Sequence, residues 1–239
     1  MEPPPEEPQT NSSVELQNAR EFISVSDAQN MKAGTRIDDD DIRPEEIKDF
    51  FYSTEITEDI KSRISGVSYK QNDNISLNDL RYLRILHWGF DGETYIGEII
   101  VNKAISDDIL EIMYKLYQND YLIERMLLID EYNADDEASM QDNNSSGFNY
   151  RVVSGTSTLS RHSMGMGVDI NPFYNPYVVK KSNGTVSISP KGSEAYADRD
   201  ADLPYMMDKD DLCVKLFKEK GFTWGGDWNS VKDYQHFEM

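Results

Sequence analysis

The sequence predicts an α+β fold in which a central antiparallel sheet is flanked by helices and preceded by an N-terminal extension. Two observations carry this. Helical and strand-like stretches follow one another irregularly, without the regular alternation of a doubly wound sheet, and the strand-like runs are short and flanked by glycine. Composition sets the scale: 239 residues, 38% hydrophobic and 11% aromatic, suit one substantial domain plus a tail and exclude global disorder.

In chain order, residues 1–36 are rich in Pro, Glu and Ser, with four of the nine prolines among the first eight residues, and read as a flexible extended linker. Residues 37–79 form a helical extension, because PEEIKDFFYSTEITEDIKSRI (44–64) has helical spacing and opens on Pro44 and two glutamates. The main domain is 80–239. LNDLRYLRILHWGFDGETYIGEIIVN predicts two strands joined by a turn at Phe90-Asp91-Gly92. Residues 106–120 open on Ser106 and two aspartates and repeat apolar side chains at Ile109, Ile112, Met113 and Leu116, the pattern of a capped amphipathic helix. A buried strand is expected over 124–132, a polar loop over 133–146, strands over 148–154 and 166–170, and a loop-rich insertion over 173–207. DDLCVKLFKEKGF predicts a last helix ending at Gly221, and the chain closes on an aromatic strand.

The charge excludes one class of partner. Lys and Arg total 24 against 44 Asp and Glu, a net charge of -20, whereas nucleic-acid binding depends on cations that neutralise phosphates. No apolar run reaches the roughly 18–20 residues needed to cross a bilayer, and the first residues lack the basic and apolar regions of a signal peptide. Cys213 is the only cysteine, so no internal disulfide forms, and its neighbours place it as a small hydrophobe on a helix.

With three histidines in the chain, each can be weighed singly. His162 lies in SRHSMGMGVD, seven residues before Asp169, with Gly165 and Gly167 between them to bend the chain. His236 follows Asp233 by three residues. Two imidazoles and a carboxylate make a three-ligand set for zinc that leaves the fourth tetrahedral position open, the arrangement of catalytic sites. Asp233 would then be a base near the metal without ligating it. A lone histidine is more often structural than a ligand, so spacing alone leaves both readings open. His87, without a partner at ligand spacing, reads as structural. Trp224, Trp228 and Phe237 read as core and cleft wall, and Glu238 as a hydrogen-bond acceptor behind His236 or a surface residue.

The stretch from Ser160 to Asp169 resembles the S-x-H-x-x-G-x-A-x-D motif of the zinc D-alanyl-D-alanine carboxypeptidase family. That family includes VanX- and VanY-type enzymes and the L-alanyl-D-glutamate endopeptidases of phage endolysins, and shares its fold with the Hedgehog signalling domain. The closing WGGDWNSVKDYQHFE resembles the family's second motif, and the likeness extends back through SGFNYRVV and the acidic loop before it, over roughly residues 80–239. It implies a Hedgehog-like fold, zinc held by His162, Asp169 and His236, Asp233 as general base, and Arg151 stabilising the developing oxyanion. Ser160 is assigned to substrate positioning, against the alternative that it caps a turn. The implied function is a zinc metallopeptidase acting on peptidoglycan stem peptides, with D,D-carboxypeptidase favoured over L-Ala-D-Glu endopeptidase. The alternative is a catalytically silent, zinc-stabilised wall-binding or interaction module. Such an enzyme is expected to be a monomer and exported, with its signal or membrane anchor upstream of the linker.

Overall fold

The computed structural model describes residues 22–239 except 154, 182 and 202, so most of the expected linker lies outside the described residues. The described part of the linker is ordered into elements: α1 (Val25–Asn30) is closed by a capping box between Ser24 and Asp27, and β1 (Arg36–Ile37) follows. Two 3-10 turns, Asp39–Asp41 and Ile47–Phe50, lead to β2 (Tyr52–Thr54) and α2 (Glu58–Ile64). The single helix expected over 44–64 is therefore broken in the middle. Tyr52, Ser53 and Thr54 prefer a pleated edge, and the Thr57 side chain restarts the helix by accepting from the Ile60 N–H.

β3 (Leu80–Trp88) and β4 (Thr94–Asn102) form the expected hairpin over nine paired positions, and α3 (Ser106–Gln118) packs on it. The N-cap of α3 is Ile105 rather than Ser106, whose hydroxyl turns back to the Lys103 carbonyl. Then come β5 (Arg125–Met126), a 3-10 turn (Ile129–Tyr132), α4 (Asp136–Gln141) and β6 (Asn144–Ser145). The strand expected over 124–132 is thus only two residues long, and the chain goes on into the 3-10 turn, which Asn133 closes at a left-handed φ of 55°. The expected polar loop instead contains α4, started by Asp135, which accepts from the Ala138 N–H. No strand forms over 148–153; the backbone there turns to bond the segment around Ser160.

A 3-10 turn (Arg161–Met164) precedes β7 (Gly167–Asp169), and the insertion carries a hairpin of β8 (Tyr177–Lys180) and β9 (Val186–Ser189). The chain ends with α5 (Leu212–Glu219), β10 (Thr223–Trp224), β11 (Lys232–Asp233) and β12 (His236–Glu238). As expected, Gly221 follows the helix in the left-handed region, at φ 90°.

Helices and largely antiparallel strands together make this an α+β chain, with its strands divided among several sheets. The four-stranded sheet runs β1-β4-β3-β2 and is antiparallel throughout. It crosses the boundary drawn at 79/80, since β1 and β2 flank the β3–β4 hairpin. Ile37 and Phe50 share one buried cluster with Leu83, Ile99, the apolar stripe of α3 and Phe217 of α5. A purely helical extension is therefore corrected to a segment that completes the sheet. The other sheet face is held partly by charge. Glu98 takes a bidentate ion pair from Arg63 of α2, at 2.9 and 2.6 Å, and accepts from Tyr82 at 2.7 Å.

Candidate metal centre

Two small sheets build the site. β12 lies between β10 and β7, and the antiparallel register sets His236 directly opposite Asp169, so the two side chains share a sheet face. His162 arrives from the 3-10 turn before β7. Ser160 caps that turn, its hydroxyl accepting from the His162 N–H at 3.3 Å, and Gly165 closes it at a left-handed φ of 65°. A side chain at Gly165 would have its Cβ 2.6 Å from the backbone nitrogen of Asn102. The bend expected between His162 and Asp169 therefore requires glycine at this position.

His162, Asp169 and His236 are all buried, and one ligand atom from each lies within 4.8 Å of the others. Hydrogen bonds select those atoms. His162 Nδ1 lies 2.6 Å from the Gly147 carbonyl, which can only accept, so Nδ1 carries the proton and Nε2 presents its lone pair. His162 Nε2 is 3.2 Å from both His236 Nδ1 and Asp169 Oδ2. On the other imidazole the roles reverse: Nε2 donates to Glu238 Oε2 at 3.1 Å, leaving Nδ1 on the ligand side, 2.9 Å from Asp169 Oδ1. Each ring is thus oriented from behind by an acceptor, the arrangement found around metal-bound histidines. Two nitrogen lone pairs and a carboxylate facing one another repel unless a proton or a cation lies between them. This donor set fits zinc.

Titration in the metal-free chain reflects the same crowding. Burial alone would raise the Asp169 carboxyl, but the charges and hydrogen bonds of His162 and His236 hold it well below the usual carboxylate range. His236 is pushed up to about 10: burial opposes its charge, and hydrogen bonds to Asp169 and Glu238 outweigh burial. Asp233 behaves differently. It lies on β11, paired with Tyr177 of β8, and burial pushes it up to about 7, with His236 pulling the other way. Its Oδ1 is buried without a hydrogen-bond partner. The WGGDW glycines make room for it, since a Cβ at Gly225 would lie 2.8 Å from the Asp233 Cβ.

The remaining expected residues are arranged around this cluster. Arg151 is tied by its backbone N–H to the Ser163 hydroxyl at 2.8 Å, on the turn that carries His162. Its guanidinium pairs with Asp136 of α4 at 2.7 Å, and its Nε is buried without a partner. Ser160 has the capping contact described above. His87 stands apart from the ligands, its Nδ1 2.7 Å from the Ile123 carbonyl and its ring on Tyr95. Trp228 lies 5.6 Å from the His236 ring and walls the site, while Trp224 and Phe237 are core. Sequence reading left Glu238 as an acceptor or a surface residue and did not identify the Gly147 carbonyl. It also missed the buried amides of Asn149 and Gln235, whose side chains keep unpartnered polar atoms. Only the two-residue spacing from His236 pointed to Glu238, and nothing in the sequence pointed to a backbone carbonyl.

The donor set and its surroundings can be set against known proteins. No solved structure matches the chain significantly. Residues 154–239, which hold the three ligand residues and Asp233, match the family model described as D-alanyl-D-alanine carboxypeptidase, a family of zinc peptidases. The resemblance read from the two motifs is thereby borne out, and the match supports a metallopeptidase, hence a hydrolase, in this part of the chain.

Proposed function

We propose that this protein is a zinc-dependent peptidase that hydrolyses peptidoglycan stem peptides as a D,D-carboxypeptidase, and that it works outside the membrane as an exported monomer. One observation carries the reading: a buried three-donor set accompanied by Asp233, a half-buried carboxylate that is not one of the donors and whose Oδ1 is buried without a partner. A purely structural zinc site is closed by four protein ligands and needs no such neighbour.

Zinc held by His162 Nε2, Asp169 and His236 Nδ1 supplies Lewis acidity toward the scissile carbonyl and the attacking water. The chain's own groups do the rest. Asp233 Oδ1, which has no partner in the protein, accepts the proton of the attacking water and passes it to the leaving amine. Arg151 holds the oxyanion as it develops, with Asp136 orienting its guanidinium. Gly147 and Glu238 keep the two imidazoles in the ligating tautomers.

The preference for a carboxypeptidase rests on the description of the family matched over residues 154–239. Mass spectrometry of purified muropeptides after digestion tests it. Loss of one terminal D-Ala is the expected result. Release of the stem beyond L-Ala would make the enzyme an endopeptidase, and no cleavage of any muropeptide would leave a silent wall-binding module.

A further inference from the structure

We propose that the ring cluster of Phe90, Tyr174 and Tyr205, with the cavity beside it, is a saccharide subsite that takes an N-acetylhexosamine ring of the glycan strand carrying the stem peptide. This rests on the peptidase reading above for the identity of the polymer.

The platform is built from two distant segments. Phe90 sits in the β3–β4 turn, and Tyr205 comes from the end of the insertion and stacks on it, with centroids 3.8 Å apart and planes 13° apart. Tyr174 meets both edge-on, at 5.3 and 5.1 Å, and is braced by Phe173 and Tyr196. Tyr205 is 39% exposed even so. Its backbone lies in the left-handed region at φ 66°, unusual for a side chain of this size, and the Asn175 amide donates to its carbonyl at 3.1 Å. A large ring is thus held partly open to solvent at a conformational cost, which the core does not require. The apolar C–H face of a pyranose is the ligand that an open phenol face matches.

Hydroxyl and acetamide groups need polar partners at the rim, and the adjoining cavity of about 520 Å³ supplies them. That volume lies within the roughly 300–1,000 Å³ range of small-molecule sites. Phe90 is shared between the platform and the cavity, whose lining also includes Asp91, Tyr95, Glu124 and Arg125. The lining mixes both charge signs with the Tyr95 phenol, and the whole chain carries -20. Both features favour a neutral sugar over a polyanion.

The subsite is joined to the metal centre through the backbone. Asn171, two residues beyond Asp169, accepts from the Glu124 N–H at 3.1 Å and donates to the Leu122 carbonyl at 2.9 Å. Asn143 in turn donates to Glu124 Oε2 at 2.8 Å. A glycan seated here would present its stem peptide from the same strand end that carries the ligand Asp169.

Two readouts test this on the zinc-loaded protein. The first is binding of a β-1,4-linked N-acetylglucosamine tetramer, followed by tyrosine fluorescence or NMR. The second is the ratio of kcat/KM for glycan-attached over free stem peptide. Tyr205→Ala is expected to weaken tetramer binding and lower that ratio by about tenfold each, the scale of one lost stacking contact. Tyr205→Leu, which keeps apolar packing on Phe90, is expected to do the same and guards against a folding artefact. An unchanged ratio, equal losses on both substrates, or tetramer binding indifferent to both variants would overturn the subsite. Wild type that cleaves neither substrate would instead sink the peptidase reading, and tetramer binding alone would then decide the subsite.

Discussion

At the residue scale, the proposed function separates the three donors that would hold zinc from Asp233, which would move a proton, and substitutions should separate them too. Asp233→Asn keeps the shape of a half-buried side chain that is not one of the three donors. It should leave zinc stoichiometry near wild type while turnover falls by about 10²-fold or more, the scale of a positioned acid or base. Metal analysis and peptide hydrolysis on one sample check this, and full zinc with unimpaired hydrolysis would remove Asp233 from the mechanism. Glu238→Gln acts through His236 instead. The amide holds the Nε2 proton less firmly than the carboxylate at 3.1 Å, so zinc affinity should drop by about 10- to 100-fold, measured by competition with a chelator. These residues were unequally legible. His162, Asp169, His236 and Asp233 showed in the sequence because ligand and base chemistry needs particular side-chain types at short spacings. The Gly147 carbonyl did not, because any residue type supplies a carbonyl and only the fold aims it.

At the element scale, what the sequence showed depended on how long each element is. The β3–β4 hairpin and helices α3 and α5 were legible because nine-residue strands and an apolar stripe repeat their period several times. The two-residue strands β5, β10 and β11 have no period to read, and capping side chains such as Thr57 and Asp135 decided where short helices began. The 3-10 turn before β7 is the short element that matters most for the site. Gly165→Ala would force a side chain onto the Asn102 backbone at positive φ, so a loss of about 1–3 kcal/mol is expected, together with weakened zinc binding. Chemical denaturation with and without zinc measures both. The hairpin carries a pH-sensitive group of its own. Burial holds His87 down at about 4 against an ordinary 6.5, so the unfolded chain binds the extra proton first. Stability from His87 is complete above about pH 6.5 and is lost as pH falls toward 4, up to roughly 3 kcal/mol. His87→Gln should flatten that part of the stability profile, and an unchanged acid limb would show that other groups govern it.

At the scale of the whole molecule, the metal centre is a junction between parts that the sequence presents as separate. The last strand, β7 and the turn after Ser160 meet at one buried point, where His236, Asp169 and His162 face one another, and the insertion hairpin pairs with the strand that carries Asp233. His236 is flanked by Asp169 on one nitrogen and Glu238 on the other, and these hydrogen bonds outweigh burial and push its pKa up to about 10, which favours a proton on each ring nitrogen at neutral pH when no metal is bound. Zinc needs the Nδ1 lone pair and must displace that proton. Binding near pH 7 should therefore release about one proton from His236, and apparent affinity should climb by close to tenfold per pH unit toward pH 10. Because zinc would bind the folded chain through residues brought together only by folding, it should also raise the melting temperature, more strongly at higher pH. Calorimetry in buffers of different ionisation enthalpy counts the protons, and melting curves across pH follow the affinity. Zinc binding with no proton release would mean that His236 is already neutral in the metal-free chain. The two carboxylates would then not be holding the site charged while it waits for its metal.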